Sequence, residues 1–177
     1  FPMPLWLAII IFGIIEGITE FLPISSTGHL LIAQRWLPRQ SDLFNIFIQS
    51  GAVLAVLPLF PHRLRQFAFE WREKSTQVYM LKILVAFAIT GVGGLVLSKL
   101  NFKLEDEVLP IAVALLVGGV LFIVIEGWLK KRPLSNEITW SIVVAVGIAQ
   151  LVAAVFPGTS RSGATIIAAL VLGLNRV

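Results

Sequence analysis

Apolar residues run in long blocks along this chain, and polar residues gather between the blocks or at two interruptions inside them. Three blocks are nearly free of charge and close to the ~20 residues that a helix needs to cross a bilayer core. They span residues 43–60, 79–97 and 109–129, with Lys82 near one end of the second and Glu126 near one end of the third. Two further blocks, 5–37 and 138–174, are too long for one crossing, and Pro and Gly cut each near its middle. Non-helical backbone at membrane depth persists only where protein or a wet cavity satisfies its polar groups. Both blocks are therefore expected to be re-entrant helix–loop–helix hairpins. The alternative is that the helix before each Pro simply crosses the membrane.

The two interruptions repeat one another. The first reads Gly13-Ile-Ile-Glu16-Gly-Ile-Thr-Glu20-Phe-Leu-Pro23, then Ile24-Ser25-Ser26-Thr27-Gly28-His29. The second reads Gly147-Ile-Ala-Gln150-Leu-Val-Ala-Ala-Val-Phe-Pro157, then Gly158-Thr159-Ser160-Arg161-Ser162-Gly163. Aligned without a gap, Gly, Ile, a carboxylate or amide, and Pro match, and a hydroxyl-rich loop with Gly follows both times. Most of the ionisable groups inside apolar segments sit here, which marks the repeat as the functional site.

Composition agrees with the pattern. The chain is 57% hydrophobic and 14% charged, with a mean hydropathy of +0.90, against about 25% charged residues in soluble domains. The fold class expected is an all-α integral membrane protein, one membrane domain over residues 1–177. The absence of cysteine removes disulfides and thiolate metal sites. No signal peptide is read in Phe1-Pro-Met-Pro-Leu-Trp6, which lacks a basic n-region and a small-residue cleavage pattern, and the missing initiator Met suggests a trimmed or partly ordered chain. A net charge of +4 suits loops beside anionic lipid heads, and nucleic acid is not an expected partner.

Loop charges set an orientation. Arg63, Arg65, Arg72 and Lys74 follow the first plain span, and Lys130-Lys131-Arg132 follow the third. Two crossings separate these loops, so both are expected on the cytoplasmic face. Lys99 and Lys103 sit with Glu105-Asp106-Glu107 in an outer loop, while Arg35 and Arg39 fall on the outer side and weaken the bias. Residues 64–71 mix Leu, Phe and Trp with Arg, and read as an interfacial helix or as a solvated loop. Three crossings between the hairpins make them enter from opposite faces, an inverted-topology repeat with loops meeting near the midplane. By that symmetry three more spans are expected past Val177.

Glu16 and Glu20, four apart, share one helix face. Two carboxylates so close in apolar surroundings share a proton or hold a cation, and oxygen ligands favour Mg²⁺ or Ca²⁺; a structural pair bonded to hydroxyls is the plainer alternative. Ser25, Ser26, Thr27 and His29 place hydroxyls and an imidazole where a helix opens, which suits an anion or a nucleophile with its base, or merely caps the helix. Arg161 costs roughly 2.5–3.5 kcal/mol in a membrane segment and needs an anionic partner. Thr159, Ser160 and Ser162 around it suit a phosphate clamp; an internal salt bridge to Glu16 or Glu20 is the alternative. Gly13-x-x-x-Gly17 matches the small-residue packing motif, as close packing of the hairpin would require.

Glu16 to His29 and Pro157-Gly-Thr-Ser-Arg-Ser-Gly-Ala-Thr165 resemble the two signature motifs of the undecaprenyl-pyrophosphate phosphatases, the bacterial bacitracin-resistance family. The stretch Ile48-Gln-Ser-Gly-Ala-Val-Leu-Ala-Val56 is similar to a third family segment. The resemblance runs the length of the chain, and family members continue past it. It implies six spans with two re-entrant hairpins and hydrolysis of a C55 lipid pyrophosphate to the monophosphate, with a divalent cation. That reaction recycles the carrier for cell-wall synthesis and gives bacitracin resistance. By motif, Glu16 and Glu20 would serve the metal and the attacking group. Ser25, Ser26 and His29 would be the hydroxyl and imidazole groups, and Arg161 the phosphate-binding Arg. Thr27, Ser160 and Ser162 are second in rank.

The expected scheme has Ser26 as nucleophile with His29 as its base or as acid to the leaving group. The reversed assignment comes next and attack by metal-bound water third. Lipid substrate would enter from the outer leaflet of the bacterial cytoplasmic membrane, the site opening outward. Membrane lipids are the expected neighbours, with a homodimer allowed. The competing class is a transporter, a lipid-carrier flippase or anion carrier on the same inverted plan; the Ser/His group beside two acids favours an enzyme.

Overall fold

The structure is a computed structural model and describes residues 3–100, 108–129, 135–156 and 158–175. Lys103, Glu105, Asp106, Glu107, Lys130, Lys131, Arg132 and Pro157, used above for orientation and for the second break, lie outside the described residues. The described chain is helical. In order come α1 (Leu5–Thr19), α2 (Ser26–Ala33), α3 (Asp42–Val56) with a 3₁₀ turn (Leu57–Leu59), α4 (Pro61–Phe69), α5 (Lys74–Lys99), α6 (Val108–Leu129), α7 (Trp140–Val155) and α8 (Arg161–Val171). Among the described residues three stretches are long and apolar enough to cross a membrane: Asp42–Leu59, Lys74–Lys99 and Ile111–Leu129. Side chains around them face outward, with Phe87 75%, Leu116 70% and Ile123 74% exposed. Apolar surface on that scale marks a membrane protein rather than a soluble one.

Residues 64–71 are helical to Phe69, within α4, which Pro61 opens from the first turn, where its missing N–H costs nothing. Helix α5 starts at Lys74, earlier than the apolar stretch predicts. Backbone hydrogen bonding does not stop at the hydrophobic boundary, and α4 packs on the added turn. Gln66 donates to the hydroxyl of buried Thr76 at 3.2 Å, Phe67 stacks on Tyr79 at 5.8 Å, and the Arg63 guanidinium lies 4.7 Å from the Tyr79 ring centre.

The breaks have local causes. Pro23 offers no N–H and disfavours helical backbone at Leu22, so α1 stops at Thr19. Ser25 then takes a φ of 62°, uncommon for a residue with a side chain, and caps α2 by accepting from Gly28 N. In the second hairpin Gly158 supplies the positive φ, 90°, and Ser160 caps α8 by accepting from Gly163 N at 3.1 Å. Caps at Ser25 and Ser160 fall one residue out of step with the ungapped sequence repeat: the second turn is longer by one.

Phe12, Ala8, Leu30 and Ala33 form a buried cluster where α1, α2 and α3 meet, with Phe44 edge-on to Phe12 at 6.0 Å. Helix α7 packs chiefly against α5 and α8. Helix α6 backs both hairpin turns through glycines. A Cβ on Gly158 would sit 2.7 Å from Ile111 Cα, and one on Gly28 would sit 3.1 Å from Leu115 and 3.7 Å from Ile111. The packing motif read at Gly13 and Gly17 is not used among the described residues, since a Cβ at either meets nothing within 4 Å. Close approach falls instead on the repeat counterpart, Gly147, where a Cβ would lie 2.9 Å from Ile89 Cβ and 3.2 Å from Ala86 O. Thr90 Oγ1 also reaches Gly147 O at 3.4 Å there. Gly147→Ala should therefore destabilise by about 1–3 kcal/mol through overpacking, read as a lower thermal unfolding midpoint in detergent. Gly13→Ala should not lower it.

Candidate active site

The two hairpin turns meet at one polar cleft of about 430 Å³. Helix α1 ends there with Glu16, buried to 1% exposure, and Glu20 one turn on. Helix α2 presents Ser26 and Thr27, α3 presents Asn45 and Gln49, and the second hairpin brings Gly158 to Ser162. First turns of helices leave backbone N–H groups without intrahelical partners, and the first residues of both α2 and α8 line this space.

Glu20 is the hub. Its Oε2 accepts from Ser26 Oγ at 2.6 Å, a short bond as expected for a hydroxyl on a carboxylate. Its Oε1 faces Arg161 Nη2 at 3.4 Å, an ion pair in which the arginine is 47% exposed and the glutamate 17%. The salt-bridge alternative for Arg161 is thus realised with Glu20, and the guanidinium keeps donors turned to open space. Gln49 Nε2 donates to Glu16 Oε1 and to Glu20 Oε2, both at 3.4 Å, so one amide spans the two acids. Ser162 Oγ donates to Leu22 O at 3.2 Å and ties the second turn to the first. Ser160 Oγ lies 3.0 Å from Ser162 Oγ and is otherwise occupied as the α8 cap. Thr27 and Thr159 line the cleft with hydroxyls that bond nothing among the described residues.

Glu16, Glu20, Ser25, Ser26, Thr27, Thr159, Ser160, Arg161 and Ser162 all line this cleft. His29 does not. Its Nδ1 sits 2.9 Å from Ser25 O, on a flank of α2 turned off the arc of Ser26, Thr27, Leu31 and Gln34. The pairing of Ser26 with His29 expected from sequence is replaced by Ser26 with Glu20, because four helical residues after Ser25 the imidazole meets a carbonyl before it meets the hydroxyl. His29 braces the left-handed Ser25 instead. Ser25 itself holds its hydroxyl back on Gly28 N.

Sequence reasoning assigned no role to Asn45 and Gln49, although two polar residues four apart in an apolar span were a signal. Two acceptor atoms here are buried without a partner among the described residues, Glu16 Oε2 and Asn45 Oδ1. Orphaned buried oxygens are costly and call for a donor or a cation. Among the described residues no group of three His, Cys, Asp or Glu side chains gathers for a metal, so any cation held here would draw on amide and ligand oxygens as well.

Fold and site define a helical membrane protein whose cleft joins two carboxylates and a hydroxyl from one hairpin to a guanidinium from another. The chain belongs to the family described as bacitracin resistance protein BacA, whose sequence profile matches residues 9–177. A protein of Rhizobium etli named undecaprenyl-diphosphatase is 55% identical over 163 residues, covering 92% of this chain and 62% of the relative. A Xanthomonas euvesicatoria pv. vesicatoria protein of the same name is 50% identical over 167 residues, covering 94% and 63%. The chain therefore spans about three fifths of the length of these curated relatives.

Proposed function

We propose that this chain carries the reaction centre of an undecaprenyl-diphosphate phosphatase, cleaving the lipid pyrophosphate to the lipid monophosphate and inorganic phosphate. The observation that carries the reading is the 2.6 Å bond from Ser26 Oγ to a carboxylate whose other oxygen faces Arg161. A binding site needs no hydroxyl poised on a base; a nucleophile does. Family membership and the relatives' name point the same way.

In this mechanism Ser26 Oγ attacks the terminal phosphorus as its proton passes to Glu20. The bond from that phosphorus to the bridging oxygen breaks, and the lipid monophosphate leaves. Water then attacks the phosphoserine, restoring the hydroxyl and releasing phosphate. Arg161 and the first-turn amides of α2 and α8 stabilise charge on the phosphoryl oxygens, and freed Thr27 and Thr159 hydroxyls orient them. Gln49 keeps Glu16 and Glu20 in place, and His29 holds the Ser25 turn. A divalent cation, Mg²⁺ or Ca²⁺, fits the orphaned oxygens of Glu16 and Asn45 better than it fits Glu20, both of whose oxygens are engaged. Bound there, it would supply charge neutralisation.

A second cavity of about 260 Å³ shares Gly158, Thr159 and Ser160 with the polar cleft and is otherwise lined by Pro23 and by apolar and small residues of α6, α7 and α8. A polar cleft continuous with an apolar groove suits a lipid headgroup followed by its hydrocarbon. Two hairpins whose turns meet suit an inverted repeat entered from opposite faces of the bacterial cytoplasmic membrane, with the cleft opening outward. The test is release of inorganic phosphate from C55 lipid pyrophosphate by purified protein in detergent, where no second compartment exists. Stoichiometric binding with no phosphate released would point to a carrier and defeat the phosphatase reading.

A further inference from the structure

Arg39 is left over from the reaction scheme. It sits on the outer side by loop-charge reckoning, against the bias that sets the orientation, and so does Arg35 four residues earlier. The structure separates the two: Arg39 lines the polar cleft, with Thr27, Gln34, Gln40 and Asp42, while Arg35 does not. Among the described residues Arg39 makes no ion pair; the bridge between Arg161 and Glu20 is the one found there. Arg161 is thus already half neutralised by an acid, and Arg39 is the cleft's uncommitted cation.

The loop holding Arg39 is fastened on both sides. Leu37 packs on the buried cluster of α1 and α2, and Pro38 has a fixed φ. Gln40 Nε2 folds back to donate to Pro38 O at 2.9 Å, and Ser41 caps α3 through Phe44 N. Trp36, 77% exposed, is the kind of residue that sits at headgroup depth. A guanidinium carried on so short and fastened a loop costs little to order when a ligand arrives.

We propose that Arg39 is a second phosphate-binding residue, taking one phosphate of a pyrophosphate group in the cleft that it lines together with Arg161. This rests on the phosphatase reading for its substrate, but its chemistry is that of two cations lining one polar cleft. Arg39 binds and steers; Ser26, Glu20 and Arg161 react. A ligand with one phosphate offers less charge to share between the two cations, so Arg39 favours the diphosphate over the monophosphate product.

Two measurements on the purified protein in detergent test this, each on Arg39→Ala, Arg39→Lys and Arg35→Ala. Binding of methylenediphosphonate, a non-hydrolysable diphosphate, is read from protection against thermal unfolding. Turnover of C55 lipid pyrophosphate gives KM and kcat. Arg39→Ala should weaken diphosphonate binding about tenfold and raise KM similarly with kcat within about twofold, since a lost bidentate charge contact acts on binding. Arg39→Lys should recover part of the loss and Arg35→Ala should match the unaltered protein. Unchanged diphosphonate binding in Arg39→Ala overturns the proposal whatever the activity, and so does an equal loss in Arg35→Ala, which would make the effect one of surface charge. Diphosphonate binding that depends on Arg39 in a protein releasing no phosphate would keep this proposal and defeat the phosphatase reading.

Discussion

Glu20→Gln should lower kcat for lipid pyrophosphate hydrolysis by about 10²–10⁴-fold, the usual contribution of a positioned general base, while KM changes little. The carboxylate accepts the Ser26 hydroxyl at 2.6 Å, and an amide oxygen of the same shape accepts a hydrogen bond but not the proton. The substitution keeps volume and leaves Gln49 a partner, so the helices should hold; an unchanged thermal unfolding midpoint in detergent separates lost chemistry from lost fold. If the variant keeps kcat within tenfold, Ser26 is not activated through Glu20, and attack by His29 or by water returns to the front. Removal of the same acid as Glu20→Ala is a poorer test, because it also empties the side-chain volume and leaves Ser26 and Gln49 without their acceptor.

Arg161→Ala should cost about 10²–10³ in kcat/KM, the range for removing one donor aimed at developing charge. Arg161→Lys should regain only a fraction. Lysine keeps the charge as a point on a flexible stem, whereas the guanidinium fork donates to Glu20 through Nη2 and in the proposed mechanism has further donors for phosphate. Initial rates across substrate concentration, in the same micelles for each variant, provide the measurement. Full activity in Arg161→Ala would mean that the second hairpin supplies shape alone, and the division of labour between the hairpins would fall.

Much of this site was legible in the sequence for one physical reason: polar groups are so expensive in apolar segments that each advertises itself. Glu16, Glu20 and Arg161 were found that way, and the structure sets all three in one cleft. All-helical architecture followed from block length. What the sequence hid was direction. Ser26 and His29 are three apart in a helix, near enough to suggest a pair, but the carbonyl of left-handed Ser25 captures the imidazole first. Nothing in the residue pattern announces a φ of 62°. Gln49 and Asn45 escaped because an isolated amide in a span is less costly than a charge, and because the partners of Gln49 lie about thirty positions away, as in its bond to Glu16. Spacing misled in the opposite direction at Gly13 and Gly17, whose motif has no neighbour among the described residues to receive it, whereas the lone Gly147 does.

Helix α6 lends no side chain to the reaction scheme, yet Ile111 touches the place where a Cβ is missing on both hairpin turns. The separation between acid and guanidinium is consequently gauged by a third body. Two half-sites that share one backstop move together when it moves, so their relative placement survives thermal motion that would pull apart hairpins joined only at their tips. A single aliphatic residue 5% exposed, remote from every proton transferred, thus acts as the calliper of the centre.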